Sequence, residues 1–496
     1  MTKMTNFLAF DLGAESGRAV LGRFDGEKLS LDEIHRFPNS PVRIHQSLHW
    51  NVLSLFAEMK RGLAKTVTQY GRDLSALGLD TWGVDFALLD RNGDLIGNPH
   101  HYRDSRNDGM VERLWTLAPR EEVFEQTGIQ FMQLNSLCQL LAMSLQKSPA
   151  LEMAATFLMM PDLFNYWLTG RKVCEYTDAS TSQCYDSRQG RWATPLLEKL
   201  GLPTHIFPYI VQPGAELGPL LLAVAEETGA AQMPVIAPGS HDTASAVAAV
   251  PVAETAETSF AYVSSGTWSL VGVETDAPVI TPQSLAYNFT NEGGVQHTIR
   301  LLKNVMGLWL VQESRRTWAQ QGQELSYVEL ADLAREATPF AALIDPDDTS
   351  FLAPGDMPAR IHDFCVRTGQ TPPTTKGGFI RCALESLAFK YRWVIDKAEE
   401  LTNRSVTVVH IVGGGSQNRL LNQFAANATG RPVVTGPIEA TAIGNILMQM
   451  LAVGQIGSLR EGRALVRRSF PVETYQSQEI EAWAEAYQRY LGLMGT

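Results

Sequence analysis

Residues 7–22 (FLAFDLGAESGRAVLG) and residues 260–273 (FAYVSSGTWSLVGV) follow one pattern, although about 250 residues separate them. In each segment an apolar run breaks at a short stretch of serine and glycine and then resumes. This pattern is typical of a tight hairpin between two β-strands. Two such hairpins, each near the start of one half of a long chain, indicate a duplicated fold. Because backbone N–H groups in turns of small residues can bind anions, the pattern favours ATP held in a cleft between two halves.

Length, charge and composition limit the number of domains and the classes of partner that are expected. At 496 residues the chain is too long for a single core, so two or three domains are expected. A net charge of -12 argues against nucleic acids and anionic membranes as partners. The same charge repels ATP at long range, so a phosphate site needs local donors and a metal ion. The chain has no apolar stretch long enough for a membrane span and no signal sequence, which predicts a cytoplasmic protein. A monomer or a homodimer is expected.

Apolar spacing predicts alternating strands and helices in both halves, including helices over residues 52–70 and 377–402. A short connection at residues 251–258 separates the halves. There is no G-x-G-x-x-G after the first strand and no P-loop motif, which argues against the two commonest nucleotide-binding folds. We therefore expect an α/β protein with three parts: an N-terminal lobe (residues 1–250), a C-terminal lobe (residues 251–475) and a helical tail (residues 476–496).

Residues 239–246 (GSHDTASA) form the most suggestive polar cluster of the first half. Asp242 follows a predicted strand and begins a predicted helix, where its carboxylate could accept a hydroxyl proton as that hydroxyl attacks phosphorus. Ser240 and Asp242 are also good helix N-caps, and an isolated histidine such as His241 is more often structural than a ligand. The residues alone leave both interpretations open.

Three more residues of the first half fit a phosphate or substrate site. Asp11 ends the first predicted strand and could bind Mg²⁺ directly or through water, or else stabilise the turn. Arg18 could bind a phosphate through its several donors, or simply lie in solvent at a strand end. Gly83 interrupts an apolar strand, which suggests a close approach of backbone to ligand.

In the second half, Asn304 and Gln312 bracket a predicted helix start. They could hydrogen-bond a sugar and a nucleotide, or else cap the helix. Residues 413–415 are three glycines between a predicted strand and a predicted helix. An adenine or ribose could lie flat against such a backbone, although tight packing of the turn is the alternative.

Taken together, these segments resemble the FGGY family of carbohydrate kinases, which have the two-lobed actin/hexokinase-type ATPase fold of duplicated ribonuclease H-like domains. The resemblance spans about residues 5 to 470 and is specific as a whole, whereas its single elements are not. It rests on these motifs: residues 11–18 (DLGAESGR), 80–86 (DTWGVDF), 102–106 (YRDSR), 160–162 (MPD), 240–246 (SHDTASA), 264–269 (SSGTWS), 290–294 (TNEGG), 302–309 (LKNVMGLW) and 410–415 (HIVGGG).

The resemblance implies transfer of the γ-phosphoryl group of MgATP to O1 of a ketose, with Asp242 as the general base and Asp11 helping to position Mg²⁺. The implied ATP-binding residues are Ala14, Glu15, Ser16, Gly17, Arg18, Thr267, Gln312 and Gly414. The implied sugar-binding residues are Gly83, His241, Asp242, Thr243 and Asn304.

Within the resemblance, the residues on either side of Asp242 bear on which ketose is bound. Glycerol and xylulose kinases of the family carry Gln or Asn after the catalytic aspartate, whereas this chain carries Thr243 after Asp242 and His241 before it. Within the resemblance this favours L-rhamnulose as the substrate. A kinase of L-fuculose or L-xylulose is one alternative, and a protein-binding ATPase of the actin or chaperone kind, which lacks a sugar-facing base, is another.

Overall fold

The computed structural model describes residues 4–252 and 259–494, so residues 253–258 of the predicted connection lie outside the described residues. The strands, in chain order, are β1 (Thr5–Leu12), β2 (Ser16–Phe24), β3 (Leu29–Pro38), β4 (Val42–Ile44), β5 (Ser47–His49), β6 (Ala76–Thr81), β7 (Phe86–Leu89), β8 (Thr156–Met159), β9 (Cys174–Glu175), β10 (Tyr185–Asp186), β11 (Arg191–Trp192), β12 (Ile210–Val211), β13 (Ala215–Pro219), β14 (Pro234–Ala237), β15 (Phe260–Ser265), β16 (Trp268–Thr275), β17 (Thr290–Gly293), β18 (Ile299–Met306), β19 (Val408–Val412), β20 (Val433–Thr435) and β21 (Glu473–Tyr475).

The α-helices, in chain order, are α1 (Val52–Tyr70), α2 (Met110–Leu117), α3 (Arg120–Thr127), α4 (Ser136–Leu145), α5 (Pro149–Met153), α6 (Met160–Thr169), α7 (Tyr176–Ala179), α8 (Thr194–Lys199), α9 (Leu222–Thr228), α10 (Asp242–Ala248), α11 (Pro282–Ala286), α12 (Trp309–Gln320), α13 (Tyr327–Glu336), α14 (Met357–Arg367), α15 (Lys376–Thr402), α16 (Arg419–Thr429), α17 (Ala440–Ala452), α18 (Leu459–Ser469) and α19 (Ile480–Leu493). Short 3₁₀ helices lie at Ser105–Asn107, Ser180–Ser182, Thr349–Phe351 and Gly414–Gln417. In the part of the chain that the structure describes, no helix combines the length and the apolar character that a membrane crossing requires.

The chain forms two compact α/β units, which confirms the predicted fold class. The first unit comprises the described residues of Met1–Ala249, Glu274–Leu301 and Ala440–Phe470. The second comprises those of Val250–Val273, Leu302–Glu439 and Pro471–Thr496. The lobe boundaries and the functions given to each lobe in the sequence analysis stay predictions.

The first unit is built around a sheet in the order β13-β14-β6-β1-β2-β3. Strands β1 and β2 form an antiparallel hairpin, and β1 also pairs in parallel with β6. Strand β14 then pairs in parallel with β6. The side chains of β1 from Phe7 to Phe10 have almost no solvent exposure, because this central strand is covered on both faces.

A second sheet repeats this arrangement in the order β17-β18-β16-β15-β19-β20-β21. Strands β15 and β16 form the antiparallel hairpin, and β19 pairs in parallel with both β15 and β20. In each unit the serine- and glycine-containing hairpin therefore lies beside two parallel strands. The shared topology explains why the same sequence pattern appears twice.

One strand was not predicted from the sequence. Asn304 lies inside β18 and α12 begins at Trp309, so Asn304 and Gln312 bracket the helix start as predicted. Nearly every residue of β18 is buried, so the strand shows no alternation of apolar and polar residues that would have marked it as a strand. Gln312 lies in the first turns of α12, as predicted for a residue near a helix start.

Helix α10 begins with Asp242 and packs in the first unit against α17 at very short range. A Cβ atom on Gly444 of α17 would overlap the carbonyl oxygen of Ser245 in α10. Only a residue without a side chain lets the two backbones approach so closely. Helix α17 therefore supports the segment that carries the predicted general base.

We expect the substitution Gly444→Ala to destabilise the protein by about 1–3 kcal/mol, because the added methyl group has no room between the helices. The matched control is Gly492→Ala in α19, where an added Cβ atom would meet no atom of the described residues within 4 Å. That change should leave stability unaltered or raise it by up to about 1 kcal/mol, since alanine favours helix over glycine. Urea unfolding followed by circular dichroism measures both, and equal midpoints for wild type and Gly444→Ala would contradict the close packing.

Candidate active site

The turn of the first hairpin is held by a residue that the sequence analysis missed. Gly13 N–H donates to the Ser16 carbonyl (3.0 Å). Asn39 donates from its backbone N–H to the Glu15 carbonyl (3.0 Å) and from its side chain to the Gly13 carbonyl (2.8 Å). These bonds fix the turn in one conformation. The predicted phosphate-contacting residues lie in it and in the start of β2: Ala14, Glu15, Ser16, Gly17 and Arg18.

A cluster of carboxylates lies at the end of β1. Asp11 forms an ion pair with Arg18, its partner across the hairpin, and is the register partner of Asp80 in β6. Asp80 has no solvent exposure, and Asn445 donates to its Oδ2 (2.6 Å), while its Oδ1 has no hydrogen-bond partner among the described residues. Burial, together with the negative charges of Asp11 and Asp242, holds the pKa of Asp80 well above its usual value.

Asp242 does not act as a helix cap. The N-cap position of α10 is His241, whose side chain makes no capping hydrogen bond, and Asp242 is the first helical residue. Its Oδ1 accepts a hydrogen bond from the Thr243 hydroxyl (3.1 Å) and lies 3.4 Å from Nε2 of His241. The side chain remains 31% exposed. Partial burial raises the pKa of Asp242, and the negative charge of Asp11 adds to this rise against the opposing effect of His241, which makes the carboxylate a better proton acceptor.

The backbone around Gly83 is strained and firmly held. Val84 has a φ of 67°, in the left-handed region that β-branched residues rarely adopt. Its N–H donates to the hydroxyl of Thr181 (3.0 Å), which keeps this conformation in place. A Cβ atom on Gly83 would lie 3.1 Å from the Thr181 side chain and 3.2 Å from Nε2 of His241. Strain of this kind collects at functional sites, and Gly83 and His241 lie side by side here.

The buried carboxylate of Asp85 also holds the loop that contains Gly83. Asp85 has no solvent exposure and accepts hydrogen bonds from the indole of Trp82 (3.0 Å), the indole of Trp50 (2.5 Å) and the amide of Gln139 (2.8 Å). Burial raises the pKa of Asp85 to about 6, against the opposing effect of these donors. The indole N–H of Trp82 therefore helps to hold the loop.

Two more residues missed from the sequence hold the backbone that precedes Asp242. Glu175 Oε2 accepts the N–H of Ser240 (3.1 Å), and the Thr177 hydroxyl accepts the N–H of His241 (3.1 Å). The Thr177 hydroxyl in turn donates to Glu175 Oε2 (2.6 Å). Glu175 has no solvent exposure, and burial raises its pKa to about 7. The only sequence signal for this support is a polar run at residues 175–183, about 60 residues before the loop that it holds.

In the second unit, the turn of the hairpin β15–β16 bonds to the start of α12. The carbonyl of Gly266 accepts from Leu308 N–H (3.0 Å), and the carbonyl of Thr267 accepts from Trp309 N–H (3.1 Å). Gln312 follows within the same helix, and its side-chain oxygen is buried without a hydrogen-bond partner among the residues that the structure describes. The structure thus brings Thr267 and Gln312 to one end of α12.

The three glycines at residues 413–415 lie in different local environments. Gly413 has a φ of 83°, and a Cβ atom on Gly415 would overlap the hydroxyl of Ser265 at the end of β15. A Cβ atom on Gly414 would meet nothing within 4 Å in the described part of the chain. Tight packing therefore explains the two outer glycines, whereas Gly414 has open space before it. Asn304, in β18, is partly buried.

Comparison with known proteins gives full-length similarity. Residues 6–249 match the N-terminal domain, and residues 261–453 the C-terminal domain, of the FGGY family of carbohydrate kinases. The chain is 46% identical over 482 residues to a rhamnulokinase of Bacteroides thetaiotaomicron, covering 97% of this chain and 98% of that protein. It is 39% identical to a rhamnulokinase of Oceanobacillus iheyensis, over 96% of this chain and 99% of the relative.

The fold is also similar to a solved structure, a ligand-bound xylulose kinase from Lactobacillus acidophilus. The TM-score is 0.82 at 15% identity, covering 99% of this chain and 98% of the other. At this low identity the likeness concerns the fold alone. It agrees with the two-domain architecture described above.

The raised pKa of Glu175 predicts a pH-dependent stability. The folded protein keeps a proton on Glu175 up to about pH 7, whereas the unfolded chain releases it near 4.5, so wild-type stability falls as pH rises through this window. In Glu175→Gln this loss is absent. The free energy of unfolding of the variant, relative to wild type, should therefore rise between pH 5 and pH 8, by up to about 3 kcal/mol.

Thermal and urea unfolding at several pH values measure this difference in the free energy of unfolding. The new amide can also change stability by a constant amount, but only the part that varies with pH tests the prediction. The exposed Glu485→Gln is the control and should show the same offset at every pH. A difference for Glu175→Gln that does not change with pH would show that this carboxyl titrates normally.

Proposed function

Because the chain belongs to the FGGY family of carbohydrate kinases, we propose that it transfers the γ-phosphoryl group of ATP to the O1 hydroxyl of L-rhamnulose, giving ADP and L-rhamnulose 1-phosphate. The observation that carries the choice of sugar is the 46% identity to a rhamnulokinase over 97% of the chain. The product would enter the breakdown of L-rhamnose. ATP is the co-substrate that an enzyme of this kinase family uses.

Asp242 acts as the general base. Its carboxylate takes the proton of O1 as that oxygen attacks the γ-phosphorus, and the bond from the γ-phosphorus to the bridging oxygen of ADP breaks. Three observations support this role: the side chain is not used as a helix cap, it remains 31% exposed, and burial raises its pKa. The hydrogen bonds of Glu175 and Thr177 to the preceding backbone keep the base in place.

Each unit contains residues that we assign to ATP binding. In the first unit, the turn after β1 and the start of β2 contact the phosphates through Ala14, Glu15, Ser16, Gly17 and Arg18. In the second unit, Thr267 contacts the phosphates, and Gln312 and Gly414 contact the nucleoside. The buried oxygen of Gln312, unpartnered among the described residues, and the open space before Gly414 support these roles.

Gly83, His241, Thr243 and Asn304 hold the sugar together with Asp242. Support comes from the first unit, where His241 and Thr243 contact the Asp242 carboxylate and Gly83 lies beside His241. The strained backbone at Val84 keeps Gly83 in the position where it meets His241. A sugar held here has its reacting hydroxyl next to the base, which is the positioning that phosphoryl transfer demands.

The carboxylates near β1 fit a magnesium ion. In the described ranges, no group of three or more His, Cys, Asp and Glu side chains could hold a metal by itself. Mg²⁺ commonly keeps several waters and binds through one or two carboxylates plus substrate phosphates. Asp11, with Oδ1 of Asp80 beside it in the sheet, fits such a partial ligand set. Bound there, the ion would neutralise charge on the phosphates.

We further propose that the enzyme is cytoplasmic and monomeric or homodimeric.

We expect Asp242→Asn to lower kcat for L-rhamnulose phosphorylation by roughly 10² or more, because the amide cannot take the proton. Affinity for ATP should stay near that of the wild type, as measured by calorimetry. Asp94→Asn, an exposed carboxylate of the first unit, is the matched control and should leave kcat unchanged. Unchanged turnover in Asp242→Asn would remove Asp242 from the role of base.

A coupled ADP-release assay over L-rhamnulose, L-fuculose and L-xylulose tests the substrate. The highest kcat/KM should belong to L-rhamnulose. A higher value for another ketose would replace the proposed sugar while keeping the kinase assignment. ATP hydrolysis that no ketose accelerates would instead favour the protein-binding ATPase.

A further inference from the structure

A fully buried arginine contacts the imidazole of His241. Arg300, in β18, has no solvent exposure. Its Nη2 lies 3.0 Å from Nδ1 of His241, and its Nε donates to the carbonyl of Gly293 (2.8 Å). A guanidinium group carries donors only and keeps its charge inside proteins. Nδ1 of His241 must therefore be the acceptor in this pair and carry no proton.

Because Nδ1 carries no proton, the hydrogen-bonding role of the other ring nitrogen, Nε2, follows. A neutral imidazole whose Nδ1 accepts carries its hydrogen on Nε2. Nε2 of His241 lies 3.4 Å from Oδ1 of Asp242 and faces the α-carbon of Gly83. The ring thus presents an N–H donor beside the carboxylate of the base and beside a glycine with no side chain.

We propose that Arg300 is a positioning residue that locks His241 in the Nε2–H tautomer, so that the ring donates a hydrogen bond to a sugar oxygen next to Asp242. The part that concerns the sugar rests on the proposed function, whereas the tautomer does not. Arg300 touches neither reacting atom. It acts through the histidine that it contacts.

A third buried charge explains why the protein needs an arginine here. Glu292, 3% exposed, has its Oε2 3.4 Å from Nδ1 of His241 and 3.3 Å from Nη2 of Arg300. Without Arg300, this carboxylate would attract a proton to Nδ1 and favour either the opposite tautomer or the imidazolium. With Arg300 in place, Glu292 balances the guanidinium charge, and a proton on Nδ1 would point at a cation 3.0 Å away.

The backbone of His241 is fixed independently of Arg300. Its N–H is bound by the hydroxyl of Thr177, and its residue pairs with Thr81 in a parallel bridge. Loss of Arg300 therefore changes the protonation and the rotation of the ring more than the location of the residue. A role confined to stability would alter sugar and ATP binding alike, whereas the proposed role alters sugar binding.

The tautomer can be read directly from long-range ¹H–¹⁵N spectra of the full-length protein labelled with ¹⁵N-histidine, without substrates. The His241 signals are assigned by their loss in His241→Asn. We expect a neutral ring protonated at Nε2 in the wild type at pH 7.5. A ring protonated at Nδ1, or at both nitrogens, overturns the proposal without any variant of Arg300.

Arg300→Lys keeps the positive charge beside Glu292 but lacks the fork that reaches both the Gly293 carbonyl and the His241 ring. We expect it to lose the uniform Nε2–H signal and to raise KM for L-rhamnulose about tenfold, the equivalent of one hydrogen bond, with KM for ATP changed less than about twofold. The matched control is Arg463→Lys. Arg463 is another buried arginine of the first unit that donates to a glutamate, Glu274 (2.7 Å), and to a backbone carbonyl.

Arg463→Lys should keep the His241 signal and the KM for the sugar. Equal effects of the two variants on sugar and ATP would mean that Arg300 is only structural, and the proposal fails. If no ketose is phosphorylated but the wild-type ring is protonated at Nε2 and Arg300→Lys changes it, the proposed function fails and the assignment of the tautomer stands.

Discussion

Two buried hydrogen bonds, from the N–H groups of Ser240 and His241 to the side chains of Glu175 and Thr177, are the constraint on which the candidate site depends. They fix the chain just before Asp242, so the first helical residue of α10 has little freedom of position. Catalytic groups lose large factors in rate when they move by an ångström, so such support outside the reacting shell matters for function. Helix α17 adds to it, since Gly444 lets that helix pack directly on α10.

Several carboxyl groups around the candidate site are buried. Glu175, Asp80 and Asp85 all lack solvent exposure, and burial raises the pKa of each. The protein holds them with backbone N–H groups, tryptophan indoles and amides, which are donors that need no counter-charge. Next to His241 it uses an ion pair instead, between Arg300 and Glu292. There the guanidinium fixes which nitrogen of His241 accepts a hydrogen bond. Preorganisation of this kind costs stability and contributes to function.

Much of the fold could be predicted because its signals are local. The helix predicted over residues 52–70 agrees with α1 (Val52–Tyr70), whose apolar spacing and N-cap residue, Asn51, lie within or next to the segment itself. Both serine- and glycine-containing hairpins appear where the two copies of the pattern occur. The strand that contains Asn304 could not be recognised, because its burial comes from neighbouring strands and leaves no alternating pattern.

The sequence by itself determined the α/β class, the duplication and the segments that carry Asp11, Asp242 and the glycine loop, because turns, strand ends and helix starts need particular residues at adjacent positions. Only the tertiary structure decided which distant residues complete the site: Asn39 on the first turn, Glu175 and Thr177 behind Ser240 and His241, and Arg300 against the imidazole. These partners lie tens of residues away from what they hold. Hydrogen bonds depend on distance in space, and the spacing of two residues along the chain does not encode it.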